Sequence, residues 1–312
     1  MILKPSENTQ LYGMKYFFNE IIMLFNKKKM PTKILLSGKK GLGKSTLAYH
    51  IVNHIFSNNE ALKYDSTNFT INKDNKSFGL LKNNSHPNFY LIDLLNDKKN
   101  IDVAQVRGMI AYINKSSFNN MSRFILIDNI ENLNKNSVNA LLKIIEEPNE
   151  NVFFILINNN EKYILPTLKS RCLTFKINFT FDQSIFISNQ ILNGNIFDII
   201  NHDLISYYNT PGEIVSLINF AMDRDLDLRN YTLIEFIVLL IDNEHYKKNK
   251  FVKNLLINFI ELFFLKEYKS SNTKKSLLNF YHYFVNKIYN TEKFNLDEES
   301  LFLEFKSKLL DG

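Results

Sequence analysis

The 312-residue sequence holds a single cysteine, Cys172. One thiol excludes an internal disulfide and leaves a cysteine-based zinc site without ligands, so no zinc is expected and the fold must stand on its own core. The N-terminal MILKPSENTQ has no apolar segment of the kind a secretory leader carries, which points to a reducing cytoplasm. Long hydrophobic runs are also missing. Leu233 to Ile241 and Leu255 to Leu265 fall short of the roughly 20 residues a membrane span needs, and Glu235 and Glu261 interrupt them, so no membrane helix is expected.

With 45% apolar and 22% charged residues, the composition is that of a soluble globular chain, and the length predicts about two domains. The charge is unevenly spread. Residues 1–180 carry 24 Lys and Arg against 14 Asp and Glu, whereas residues 181–312 carry 14 against 18. A basic half of this size attracts a polyanion such as nucleotide, nucleic acid or an acidic protein surface, without choosing among them. Simple solvation of stretches such as Lys27, Lys28 and Lys29 accounts for the same residues.

The first half alternates short apolar runs with helical patterns, which predicts a parallel sheet with crossover helices. Lys33 to Ser37, Phe124 to Ile127 and Val152 to Ile157 read as central strands, with Phe89 to Ile92 a fourth. Leu47, Ala48, Ile51, Val52 and Ile55 line one helix face, and Val138, Leu141, Leu142 and Ile145 line another that Pro148 stops. Ser57 to Ser85 is polar and without sustained period, and is expected to be a long loop or irregular insertion. Beyond Phe181 only helical patterns remain: Ile185 to Leu192, Glu213 to Ala221, Leu233 to Ile241 and Phe251 to Leu265. The stripes Leu255, Phe259, Leu262, Phe263 and Tyr281, Phe284, Ile288 are expected in the core more than on a partner surface.

Gly38-Lys39-Lys40-Gly41-Leu42-Gly43-Lys44-Ser45, followed by Thr46, fits the phosphate-loop pattern and lies between a predicted strand and helix. Glycines at 38, 41 and 43 let the backbone turn its N–H groups onto phosphates, and the following helix adds the positive end of its dipole. Lys44 would then reach the β and γ phosphates of ATP, and Ser45 would hold Mg²⁺. A glycine-rich turn that binds nothing is the competing reading. Arg123 to Asp128 looks like the second half of such a site: an apolar strand ending in an acid that helps to hold Mg²⁺. An aspartate that merely caps the next turn is the alternative. The residue after it is Asn129, whose amide cannot accept a proton from an attacking water, and Glu131 stands at an awkward offset for that task. Nucleotide binding is therefore better supported than hydrolysis.

Further blocks extend the pattern: Leu11-Tyr12-Gly13, His86-Pro87, Ile101 to Arg107, Asn139-Ala140-Leu141-Leu142-Lys143-Ile144-Ile145-Glu146-Glu147-Pro148, and Leu165-Pro166-Thr167-Leu168-Lys169-Ser170-Arg171-Cys172. Over residues 11–178 the chain resembles the delta-prime subunits of bacterial DNA polymerase III clamp loaders. The resemblance implies an α/β P-loop AAA+ domain, a parallel sheet with flanking helices, over residues 1–178. A small helical lid domain would follow over 179–225 and an all-α collar domain over 226–312, the collar assigned by position only. It implies a hetero-pentameric ring with delta and gamma/tau subunits that opens a sliding clamp on primer-template DNA, with DNA contacts to phosphates.

In that ring Arg171 would be an arginine finger acting in trans on a neighbour's nucleotide, and Asn158 or Asn159 the polar sensor of the γ-phosphate. A surface ion pair at a helix terminus, and an Asn-rich turn, account for the same residues locally. Cys172 reads as a small buried residue rather than a reactive thiol. The helix opening Pro211-Gly212-Glu213 has none of the lid arginine of motor subunits. With Asn129, this points to a stator rather than a motor, the alternative being an active gamma/tau-like AAA+ ATPase; a small-molecule kinase and a sequence-specific DNA binder fit less well.

Overall fold

The computed structural model describes residues 4–95, 98–115, 121–146, 151–248, 250–270, 274–294 and 296–310. Pro148, expected to stop a helix, lies outside them, as does Glu147. The chain forms two compact units, residues 1–194 with 208–219, and residues 195–207 with 220–312.

The first unit contains the strands β1 (Lys33–Ser37), β2 (Phe89–Ile92), β3 (Arg123–Ile127), β4 (Val152–Asn158) and β5 (Leu173–Lys176). They form one sheet in the order β2-β3-β4-β1-β5, with every pairing parallel. Around it lie α1 (Lys15–Asn26), α2 (Lys44–Phe56), α3 (Lys76–Lys82), α4 (Val103–Ile113), α5 (Lys135–Glu146), α6 (Pro166–Lys169) and α7 (Phe181–Leu192). The next helix, α8 (Pro211–Met222), begins in this unit.

Continuous apolar strands are what a sheet covered on both faces requires, since successive side chains point to opposite sides. Ile34, Leu36, Phe124, Leu126, Ile155 and Ile157 join Phe18, Ile21, Leu47 and Ile51 in one core layer. Leu35, Ile125, Ile127, Phe154 and Leu156 join Val106, Met109, Leu141 and Ile145 in the other. Two cations close helix ends against this sheet. The Arg123 guanidinium donates to the carbonyls of Tyr112 (3.3 Å), Ile113 (2.9 Å) and Lys115 (2.8 Å) at the end of α4, and Lys33 Nζ donates to Ile145 O (2.7 Å) in α5.

The four expected strands are present, and a fifth was not foreseen. Its alternating sequence Leu-Thr-Phe-Lys, with Leu173 exposed and Phe175 buried, suits a short edge strand rather than an apolar run. The expectation of an irregular Ser57 to Ser85 is corrected in part, because α3 lies inside it. Polar groups build this helix: Asn75 Oδ1 accepts from Phe78 N (2.6 Å), and the Glu60 carboxylate accepts from Lys76 N (2.8 Å) and Ser77 N (3.0 Å). Seven residues capped in this way give no apolar period to read. The rest of the segment is anchored by buried Tyr64, Phe69 and Ile71, with Tyr64 stacked on Phe18 at 5.0 Å.

The second unit is helical throughout its described residues, with α9 (Leu233–Asp242), α10 (His245–Lys248), α11 (Lys250–Ser270), α12 (Lys274–Phe294) and α13 (Glu298–Leu310). Thr232 and Glu235 form a capping box that starts α9. Phe236, Phe284, Phe302 and Phe305 are fully buried, and Phe284 meets Phe305 edge-on at 4.9 Å. Of the two expected core stripes, Leu255, Phe259, Leu262 and Phe284 are buried, and Phe263, Tyr281 and Ile288 are half-buried. No helix among the described residues is long and apolar enough to cross a membrane.

Candidate functional site

The phosphate loop joins β1 to α2, and its backbone is arranged in one sense. Gly41 and Gly43 adopt left-handed φ of 82° and 87°, a region that costs glycine nothing. The loop carbonyls are tied down: Lys44 Nζ donates to Gly38 O (2.7 Å) and Lys39 O (2.6 Å), Thr210 Oγ1 to Lys40 O (2.9 Å), Gly212 N to Gly41 O (2.9 Å) and Leu47 N to Gly43 O (2.9 Å). The N–H groups of Gly41, Gly43 and Lys44 make no hydrogen bond among the described residues. A loop with five of its carbonyls engaged and the N–H groups of Gly41, Gly43 and Lys44 open is a cradle for an anion.

Lys44 is 3% exposed, and burial pulls its ammonium down to about 8, against the opposing pull of Asp128, Glu131 and Glu161. Ser45 Oγ donates to Asp128 Oδ2. The Asp128 carboxyl is pushed above the ordinary range by burial first and by the neighbouring Asp93 carboxylate second. A hydroxyl and a carboxylate brought together at one point are hard oxygen donors that fit a shared Mg²⁺. Thr46 is half-buried at the start of α2, where its hydroxyl lies 3.5 Å from Asn8 Nδ2.

Beyond Asp128 the chain turns through Asn129, whose φ is 56°, into a 3₁₀ turn over Ile130–Asn132. The Asn129 side chain is engaged at both ends: its Nδ2 donates to Asp93 Oδ1 (2.7 Å), and its Oδ1 accepts from Asn159 Nδ2 (2.8 Å). Asn159 N in turn donates to Glu131 Oε1 (3.0 Å). Asn158 and Asn159 are thereby separated in role. Asn158 Nδ2 donates to Asn160 Oδ1 (2.6 Å) and Ser37 Oγ (3.3 Å), tying the ends of β4 and β1 together, whereas Asn159 faces the Asp128 cluster.

Arg171 lies just beyond α6. Its Nη1 donates to Thr167 O (2.8 Å) and its Nη2 pairs with Glu146 (2.8 Å), both side chains being well exposed. Within the chain, the guanidinium is thus a surface ion pair at a helix terminus. Cys172 is half-buried, with burial pushing its thiol up to about 11, and its Sγ donates to Leu168 O (3.3 Å). That is the chemistry of a packing residue.

Four participants were not read as site residues from the sequence. Asp93 directly follows the apolar run of β2 just as Asp128 follows β3, and that repeated pattern of an acid at a strand end is the signal that could have found it. Thr210 and Gly212 come from a remote segment whose docking on the loop leaves no local mark. Glu213, one residue on, pairs with Lys39 at 3.1 Å.

The chain is 29% identical over 277 residues to the DNA polymerase III subunit delta' of Buchnera aphidicola subsp. Schizaphis graminum, covering 84% of this chain and 78% of that one. It is 30% identical over 238 residues to the DNA polymerase III subunit gamma of the same organism, covering 73% of this chain and 63% of that one. Among solved structures it is remotely similar to the Bacillus subtilis DNA clamp loader delta protein, with 16% identity and a TM-score of 0.33 over 93% of this chain and 83% of that one. The family model described as "DNA polymerase III, delta subunit" matches residues 14–180. On that match, which spans more than half of its length, the chain belongs to the DNA polymerase III delta subunit family.

Proposed function

We propose that the chain works as a delta-prime-type clamp-loader subunit that binds ATP with Mg²⁺ as a stator and lends Arg171 to a neighbouring motor subunit. The observation that carries the stator reading is the Asn129 side chain, which offers no carboxylate to a water and has both ends already engaged by Asp93 and Asn159. Nucleotide binding is supported by the open amides of Gly41, Gly43 and Lys44, and by Ser45 beside Asp128. Mg²⁺ held there would shield phosphate charge, while Lys44 and the loop amides orient the phosphates.

The trans finger rests on exposure and low cost of release. An exposed pair such as Arg171 with Glu146 is worth about 0–1 kcal/mol, so a phosphate presented by a partner subunit outcompetes it. On this reading residues 1–178 are the nucleotide-binding domain, 179–225 the lid and 226–312 the collar. Partners are delta and gamma/tau subunits in a five-membered ring, the sliding clamp, and primer-template DNA contacted at phosphates through the basic half of the chain.

The test is DNA-stimulated ATP turnover by the reconstituted clamp loader, with turnover by this chain alone measured in parallel. Arg171→Ala is expected to lower the assembly's rate about tenfold or more, Lys44→Ala to change it little, and the isolated chain to be inert. Lys44-dependent turnover by the isolated chain would make it a motor, and an unchanged rate with Arg171→Ala would remove the finger.

A further inference from the structure

The helices α4 and α5 lie on one layer of the core, to which they give Val106, Met109, Leu141 and Ile145. Between their outer flanks runs an open groove of about 590 Å³. Val103, Arg107 and Ile110 line it from α4, a four-then-three spacing that forms one ridge of a helix, and Ala140, Lys143 and Ile144 line it from α5. Val103, Ile110, Ala140 and Ile144 are half-buried, so the groove has an apolar floor where the outer flank of a surface helix is ordinarily polar.

The walls carry charge of one sign. Arg107 and Lys143 are exposed, and neither makes a hydrogen bond or ion pair among the described residues. No acid stands ready to neutralise them: α4 contains none, the one acid of α5, Glu146, is held by Arg171, and Asp102, just before α4, is held by Lys98. Two classes of occupant fit this combination poorly. Nucleic-acid phosphates would meet the two cations but leave the apolar floor bare, and among the described residues no aromatic ring lines the groove for a base to stack on. A second copy of the chain fits no better, because the acids of its α13 are already paired, Glu298 with Lys253, Glu299 with Lys247 and Glu304 with Lys308. An amphipathic helix answers both features, its apolar side chains seated on the floor and carboxylates on its flanks facing Arg107 and Lys143. The exposed amides of Asn136 and Asn139 line the α5 side and serve its polar edge.

We propose that the groove between α4 and α5 is a docking site for an acidic amphipathic helix of a partner protein. None of the residues that line it belongs to the phosphate loop, so the docking site is independent of the nucleotide reading.

The test is fluorescence anisotropy with the full chain and a labelled peptide of about 15 residues, long enough to form a helix, with Leu at every third or fourth position and Glu along both flanks. A scrambled peptide of the same composition and a version with Lys in place of Glu are the controls. The Glu peptide is expected to bind the native chain at least about tenfold more tightly than either control. Combining Arg107→Glu with Lys143→Glu is expected to reverse the order, so that the Lys peptide binds that variant best. Both positions are exposed, and thermal melts check that the variant folds. Ala140→Glu, which sets a charge on the floor, is expected to weaken the Glu peptide by about tenfold or more. Equal binding of the Glu peptide and its scrambled form, or an order that the double reversal leaves unchanged, overturns the proposal. A duplex oligonucleotide supplies the remaining arm. If the double reversal weakens DNA binding while the native chain does not distinguish the Glu peptide from its scrambled form, the cations serve phosphates and the docking site is refuted.

Discussion

Gly212 N donates to Gly41 O at 2.9 Å, so the first turn of α8 is docked directly on the phosphate loop. A methyl group at Gly212 would stand 2.6 Å from Gly41 Cα and 2.8 Å from Gly41 O, distances that backbone atoms cannot yield to without separation of the two segments. Gly212→Ala is therefore expected to cost about 1–3 kcal/mol of stability and to weaken MgATP binding, as the Gly41 carbonyl is released to compete for the space of the phosphates. Thr210→Ala removes the hydroxyl that holds Lys40 O and accepts from Glu213 N at the start of α8, without a backbone clash, and should have a smaller effect in the same direction. Chemical denaturation and nucleotide titration of the two variants check the order; equal behaviour of Gly212→Ala and the native chain would refute the docking.

Arg171 makes its ion pair with Glu146 through one nitrogen and its helix-end hydrogen bond through another. Releasing the pair with Glu146→Gln should leave the unfolding free energy within about 1 kcal/mol of native, since exposed pairs contribute little. Arg171→Lys keeps the charge and loses the planar fork, so it should leave the assembled ring nearly as slow as Arg171→Ala. Turnover by the reconstituted assembly with each variant tests this. A fully active Arg171→Lys would mean that charge alone is sufficient and that no bidentate finger acts there.

The sheet was legible because its central strands are covered on both faces and so appear as unbroken apolar runs. The phosphate loop was legible because its chemistry needs particular residue types at fixed spacing. β5 escaped because an edge strand buries only alternate residues, and α3 because Asn75 and Glu60 start it through side-chain acceptors rather than an apolar stripe. The departure at Asn129 could be read in the sequence, but not its consequence. Only the fold brings Asp93 to its amide nitrogen and Asn159 to its oxygen.

That pairing makes Asn129 and Asp93 interdependent. Asn129→Glu alone sets a carboxylate against the Asp93 oxygen that now accepts from Nδ2, and is expected to destabilise the sheet unit by about 1–3 kcal/mol. Asp93→Asn in the same chain restores a donor–acceptor pair with the roles exchanged and should recover most of the loss. A double-mutant cycle on unfolding free energy measures the coupling. Strict additivity of the two changes would show that the contact carries no energy. The double variant also places a carboxylate directly after Asp128, so its ATP turnover should exceed that of the native chain.

Two buried histidines set the acid limit of the sheet unit. His50 lies between Tyr64 OH (2.9 Å) and Asn8 O (3.1 Å); a carbonyl can only accept, so Nε2 carries the proton and Nδ1 receives the tyrosine hydroxyl. His86 is stacked on Phe56 at 4.0 Å and accepts from Asn88 N (3.2 Å). Burial pulls each ring down to about 4. Above the unfolded value of about 6.5 both rings are neutral in either state and cost nothing. As pH falls below it, the unfolded chain takes up protons that the folded chain refuses, and stability declines until the folded value near 4 is passed. Each ring contributes a slope of up to about 1.4 kcal/mol per pH unit in that window. Asp128 and Glu131, held above the carboxylate range, work in the other direction, because their protonation in acid relieves a burial cost. The net loss between pH 7 and pH 5 is therefore expected to be about 2–4 kcal/mol. His86→Asn, which keeps an acceptor for Asn88 N, should remove its own share of the histidine slope, to which His54, also pulled down by burial, adds. Urea denaturation at pH 7, 6 and 5 measures both, and a slope that His86→Asn leaves unchanged would assign the acid sensitivity to other groups.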